Sequence, residues 1–222
     1  MPQKHVILQG ESAISLAEHY GLFAATIWDD PANAELKKKR RDMNVLLPGD
    51  ELTIPDKTVK NVPCATGARH VFRRRGVPAV FRLQLFELVA ARANQEYTLT
   101  VDSSLELKGQ TDEQGVLEQY VPTGAKRGEL VIGPDAFHLE LLFGNLDPHD
   151  ELTGIQHRLN NIGFACGVPD GTLNDATRDA LLEFQLTAGL EPTGETDPAT
   201  IEKIASVHDE VGRAPRERQT SS

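Results

Sequence analysis

Hydrolysis or group transfer needs a nucleophile with its base, a pair of placed carboxylates or a set of metal ligands. The seven histidines are His5, His19, His70, His138, His149, His157 and His208. None stands in a His-Glu-x-x-His or comparable ligand spacing. The nearest approach to a metal set is His149 and Asp150 followed by His157. His157 falls on the polar side of a helical pattern, where a solvated surface group is expected. The two cysteines, Cys64 and Cys166, have no base beside them in sequence, and either one disulfide or two buried thiols fits the pair. The expectation is therefore a chain without catalytic groups, metal or cofactor. What remains is binding chemistry: near the C-terminus, Asp170, Asn174, Thr177 and Gln185 are polar groups able to hold a ligand by hydrogen bonds. Asp170 and Asn174 equally suit a turn and a helix cap.

Charge narrows the partners. A formal net charge of −10 argues against nucleic acid, because grip on a phosphate backbone needs a basic surface. Against that background the basic runs at 37–41 (KKKRR) and 73–75 (RRR) stand out; each reads as a solvated face or as a contact for an anionic polymer or partner. No stretch approaches the ~18 apolar residues of a membrane span, so membrane insertion is not expected. The opening residues MPQKHVILQGESAIS lack the apolar core of a signal peptide, and synthesis in the cytoplasm is the expectation. Trp28, beside Ile27 and ahead of Asp29-Asp30, reads as packed on a core in preference to stacking on a sugar.

The elements that must position these groups fall into three segments, a multidomain α+β chain. Residues 1–57 open with a strand at HVILQ (5–9), a helix capped by Ser12 and closed by Gly21, and a short helix holding Ala25, Ile27 and Trp28. After a polar stretch, VLLPGDELTIP turns into a second strand. Residues 58–68 form a linker. From 69 to 148 the period becomes two, with runs at 80–86, 97–101, 105–107, 117–122, 129–132 and 137–143 separated by turns such as 111–115 and 122–124; this predicts an antiparallel β-sandwich. Residues 149–208 return to helical spacing: Leu152, Ile155, Leu159 and Ile162, then Gly163; a helix capped by Asn174 or Asp175 with Ala176, Ala180, Leu181, Phe184 and Leu186, then Gly189; and a third opened by Asp197-Pro198 with Ile201 and Ile204. That is a three-helix bundle whose corners are Val168-Pro169-Asp170-Gly171 and Pro192-Thr193-Gly194. Residues 209–222 read as a flexible tail.

Two of these segments resemble known families. Ile155-Gln156, Leu159, Gly163-Phe164, Asp170-Gly171, Thr177, Ala180-Leu181, Phe184-Gln185, Gly189-Leu190, Thr193-Gly194 and Thr200 follow the pattern of the peptidoglycan-binding domain that accompanies many cell-wall hydrolases. HVILQGESAISLAEHYGL and NVLLPGDELTIP resemble the two halves of a LysM module, a βααβ fold that binds N-acetylglucosamine-containing glycans. That resemblance implies a shallow groove with Gly10, Glu11, Ser12 and Ala13 on one wall and Val45, Leu46, Leu47 and Pro48 on the other. The connection PANAELKKKRRDMN is longer than the family's. More weakly, LELKGQTDEQGVLEQYVPTGAKRGELVI is similar to transthyretin-like and carboxypeptidase-regulatory-like sandwiches, a likeness of fold alone.

Taken with the resemblances, the sequence predicts a non-catalytic peptidoglycan binder, with a secreted effector or spike protein as a further partner. Family context implies travel with a type VI secretion or phage-tail-like contractile injection system that would deliver the chain to the periplasm. The alternative is an adaptor, chaperone or immunity protein that docks a spike or toxin without binding sugar. A wall hydrolase hidden in the middle segment is a third reading.

Overall fold

The computed structural model describes residues 2–57, 63, 65–70, 79–87 and 90–209. Cys64, the run 73–75 and the tail from 210 onward lie outside the described residues. The chain divides into two compact units, Met1–Val80 with Tyr120–Ala125, and Phe81–Gln119 with Lys126–Ser222.

In the first unit β1 (Gln3–Val6) pairs antiparallel with β2 (Glu51–Ile54), Gln3 opposite Ile54 and Val6 opposite Glu51. The first strand thus lies earlier than the expected 5–9. Ile7 leaves the ladder for the core, its amide on the Asp50 carbonyl and its carbonyl accepting from Gly49. Ser12 and Ser15 form a reciprocal capping box that starts α1 (Ala13–Tyr20), and Gly21 ends it at φ 65°, a conformation that costs glycine no side-chain clash. Next come α2 (Ala24–Trp28), a 3-10 turn (Pro31–Asn33) and α3 (Ala34–Arg40). The expected βααβ order therefore carries a third helix, formed by the segment that sequence alone leaves as a polar stretch. Ile7, Ala13, Leu16, Ala17, Ile27, Trp28, Leu46, Leu52 and Ile54 make the core, so Trp28 is buried. The side chain of Asn33 is also buried, its Nδ2 donating to the Ile27 and Thr53 carbonyls and its Oδ1 accepting from the Thr53 amide.

In the middle of the chain β9 pairs antiparallel with β10 and β6, β6 with β7, and β4 with β5. Strands β6 (Glu96–Val101), β7 (Leu105–Gln110), β9 (Arg127–Ile132) and β10 (Phe137–Leu142) form one sheet in the order β10-β9-β6-β7. Two-stranded pairs join β3 (Ala79–Gln84) to β8 (Val116–Val121) and β4 (Phe86–Glu87) to β5 (Ala90–Ala91). Tyr97, Leu99 and Val101 alternate inward from β6 while Glu96, Thr98 and Thr100 face outward. The turn expected at 111–115 forms around Asp112, whose carboxylate accepts from Gln114 and Val116.

Residues 152–209 are three helices, α4 (Leu152–Asn161), α5 (Asp175–Thr187) and α6 (Pro198–Asp209). Their core is Ile155, Leu159, Cys166, Ala180, Leu181, Phe184 and Ile204. Asn174, not Asp175, caps α5. Two residues assigned to the core by period lie at the surface: Ala176 is exposed and Leu186 is 66% exposed. Ala180, Leu181 and Phe184 already fill the inward stripe of α5, and Leu186 lies outside it.

Candidate functional site

The structure lays the end of the first expected wall beside the segment just ahead of the second. The Ala13 amide donates to the Met43 carbonyl at 2.9 Å, laying the start of α1 beside the segment that leads to β2. The membership of the walls changes, however. Ala13 and Leu46 are core residues, because their side chains point inward behind this contact. Gly10, Glu11, Ser12, Val45 and Leu47 are half-buried and Pro48 is exposed. Glu11 is turned back on its own loop, its Oε2 accepting from the Leu8 amide at 2.9 Å and lying 2.7 Å from His5 Nε2. The other His5 ring nitrogen meets the Tyr20 hydroxyl at 3.2 Å. A shallow recess of about 150 Å³ lies elsewhere in this unit, at the Gln3–Ile54 end of the strand pair, lined by Tyr20, Leu22, Pro55 and Lys57 among others.

One residue of the basic run is not solvated. Arg40 is buried and forks onto Asp50, Nε to Oδ2 at 2.8 Å and Nη2 to Oδ1 at 3.1 Å. The same carboxylate accepts from the Leu47 amide at 3.0 Å and so fixes the turn 47–50. Burial works against the charge on Asp50, but Arg40 and the Leu47 amide outweigh it and hold the carboxyl below its ordinary range. Lys37, Lys38, Lys39 and Arg41 are exposed, with Lys37 bonded to Asp29.

At the C-terminal end the candidate groups divide. Asp170 and Asn174 are exposed, whereas Thr177 and Gln185 are fully buried on α5, which corrects their expected role as ligand-holding groups. Gln185 Oε1 accepts from the Thr193 and Gly194 amides, each at 2.9 Å. Its Nε2 donates to the Glu195 carbonyl, Thr193 Oγ1 and Thr200 Oγ1. Gln156 of α4 repeats the arrangement: Oε1 accepts from Gly171 at 2.9 Å, and Nε2 donates to the Thr172 carbonyl, Thr177 Oγ1 and Asp170 Oδ1. The two turns with their caps, PDGTLNDAT (169–177) and PTGETDPAT (192–200), are thus two copies of one device. Asn174 and Asp197 cap the helix that follows each copy, accepting from the Thr177 and Thr200 amides. Gly171 and Gly194 take φ 75° and 67°, and a Cβ on either would stand 3.3 Å from a helix side chain, Thr153 or Leu182.

The repeat was readable in the sequence from the shared Pro-x-Gly and Ala-Thr spacing; the inward glutamines were not. Exposed Asp170 is held below its ordinary range by the Thr172 hydroxyl and amide and by Gln156. The large apolar group beside it, Val168, is 80% exposed.

The other chemistry-bearing residues do not assemble. Among the described residues no three His, Cys, Asp or Glu side chains are placed to hold a metal ion. His157 is half-buried instead of solvated, and burial lowers its affinity for a proton. Cys166 is a free, buried thiol, pushed up by burial, with Sγ against the Gln156 carbonyl at 3.3 Å. Arg158 is buried, bonded to the Asp147 and Gly154 carbonyls and to Asp209.

Residues 148–204 match a family model described as "Putative peptidoglycan binding domain". The matched span covers all of α4 and α5 and the start of α6, with both Pro-x-Gly turns. The match supports peptidoglycan as the partner of this module. No curated protein and no solved structure matches the chain.

Proposed function

We propose that the chain is a modular, non-catalytic binder of peptidoglycan that holds the wall at two places. The observation that carries this reading is the match over 148–204. The first unit supplies the second contact as a LysM-like module, with Gly10, Glu11, Ser12, Val45, Leu47 and Pro48 as its sugar-facing groups. Its support is the pair of quoted motifs and the bond that draws their loops together. Two weak sites on one chain reinforce each other, because after the first contact the second becomes intramolecular. The antiparallel middle, similar to transthyretin-like sandwiches, serves as the spacer. In this reading the chain is cargo or an accessory of a type VI secretion or phage-tail-like machine, and wall binding retains it where the machine delivers it.

The test is sedimentation of the full chain with purified sacculi at low salt. The chain is expected in the pellet, with Val168→Asp weakening retention at unchanged melting temperature. A chain left wholly in the supernatant overturns the reading.

A second reading, that the first unit docks a protein instead of a sugar, is favoured by Leu8 and Phe23, 63% and 70% exposed on that unit. Titration with chitohexaose separates the two, since only the glycan reading expects saturable binding abolished by Leu47→Asp.

A further inference from the structure

The four-stranded sheet ends in two different ways. At one margin β7 bears Glu106 and Lys108, whose side chains meet at 2.8 Å, a charged dressing that keeps a strand edge from recruiting a neighbour. At the other, β10 reads FHLELL, without lysine or proline and with apolar groups at 137, 139, 141 and 142. Among the described residues no strand pairs with its outer side. Leu142 is 61% exposed and Phe137 42%. Leu139 and Leu141 lie on the same face as the fully buried Leu130, yet they are only half-buried.

The direction of each backbone group along β10 is fixed by its neighbours. The Gly133 amide donates to the Glu96 carbonyl and the Asp102 amide to the Arg127 carbonyl, so the odd-numbered residues of β9 address β6. Its even-numbered residues address β10, in keeping with the bond from the Phe143 amide to the Lys126 carbonyl. The amides and carbonyls of Phe137, Leu139 and Leu141 therefore turn to β9, and those of His138, Glu140 and Leu142 turn outward. An added strand must set its own outward-turned residues opposite these three.

We infer that the occupant of this edge is β10 of a second copy of the chain, antiparallel about a two-fold axis at Leu139. Alternation admits only registers in which even-numbered residues face even-numbered ones. Centring on Glu140 opposes two carboxylates, centring on His138 opposes two imidazoles, and centring on Leu141 faces Glu140 with an apolar Leu142. Centring on Leu139 sets each His138 opposite the partner's Glu140, with Phe137 against the partner's Leu141. Two imidazole–carboxylate pairs then form on the outer face, and the half-buried leucines are covered on the inner one. The charges of a single copy favour this register. On the outer face Glu129 stands opposite Glu140, with only His138, 3.2 Å from Glu129, to offset the two carboxylates. The partner's His138 supplies the second offset. The contact is self-complementary, so it closes as a dimer with the charged β7 at both outer margins. Where the C-terminal module holds the wall, each dimer carries two such modules; that consequence rests on the wall-binding reading, and the pairing does not.

The test is sedimentation velocity of the full chain over a series from micromolar to near-millimolar concentration, since a contact one short strand wide is weak. The weight-average mass should rise from 24.3 kDa towards twice that value. Glu140→Lys places a cation opposite the partner's His138 in both pairs and should weaken dimerisation about ten-fold. The swap His138→Glu/Glu140→His should restore it, because 138 and 140 face each other across the axis. Glu140→Pro removes an outward-turned amide and spares the bonds to β9, so it should abolish the dimer while circular dichroism shows the chain still folded. A chain that stays at 24.3 kDa throughout overturns the proposal. So does a dimer that Glu140→Lys leaves intact, or one that the swap does not restore.

Discussion

Gln156 on α4 and Gln185 on α5 stand in equivalent places, each holding the turn that follows its helix by an oxygen to a turn amide and a nitrogen to a carbonyl and a threonine hydroxyl. They differ in load. Gln185 Oε1 serves two backbone amides and Gln156 Oε1 serves one. Because an orphaned buried polar group costs about 1–3 kcal/mol, Gln185→Leu should destabilise more than Gln156→Leu. Urea unfolding of the two variants checks the order; equal losses would show that the amides find other partners.

Arg40 and Asp50 form the most buried ion pair among the described residues of the first unit. Removing one partner strands a charge, and either Arg40→Met or Asp50→Asn should cost about 3–5 kcal/mol, while replacing both with apolar residues should recover much of it. The folded Asp50 carboxyl titrates below its unfolded value near 3.9, so its contribution is complete above that pH and disappears as pH falls through the folded value. An acid-unfolding curve should therefore lose part of its limb below about pH 4 in Asp50→Asn.

His157 acts in the same direction but nearer neutral pH. Burial lowers it from about 6.5, with the Arg158 charge adding and Asp147 opposing. The unfolded chain takes up this proton more readily than the folded one, so stability is full above about pH 6.5 and declines below it. Thermal melts between neutral and mildly acidic pH should flatten in His157→Gln.

Gly154 on the first turn of α4 has no room for a side chain, since a Cβ would overlap the Pro148 carbonyl oxygen and crowd that of Asp147. Both are backbone atoms, which yield only by moving the chain. Gly154→Ala should cost at least about 2 kcal/mol by differential scanning calorimetry. Gly163→Ala, with open space around its Cβ but φ 95°, should lose only the backbone preference, about 1 kcal/mol.

Local punctuation was legible in the sequence. Ser12, Gly21, Asn174, Gly189 and Asp197-Pro198 mark helix ends because caps act through neighbours a few residues away. What depends on distant partners was not legible. Arg40 sits among solvated cations and turns inward only because Asp50 is folded beneath it. Gln185 and Thr177 read as groups able to hold a ligand until the turns they serve are in place. Leu46 was assigned to a groove wall by position in its motif, yet its side chain belongs to the core, so substitutions there test folding instead of sugar binding.

Asn33 carries one further consequence. Its carboxamide occupies both the amide and the carbonyl of Thr53, the two groups that an incoming strand would need at that point of β2. A short pair of strands with a bare outer margin invites a neighbouring molecule to extend it. Here one side chain, brought by the segment between the helices, already holds the two groups such recruitment would use.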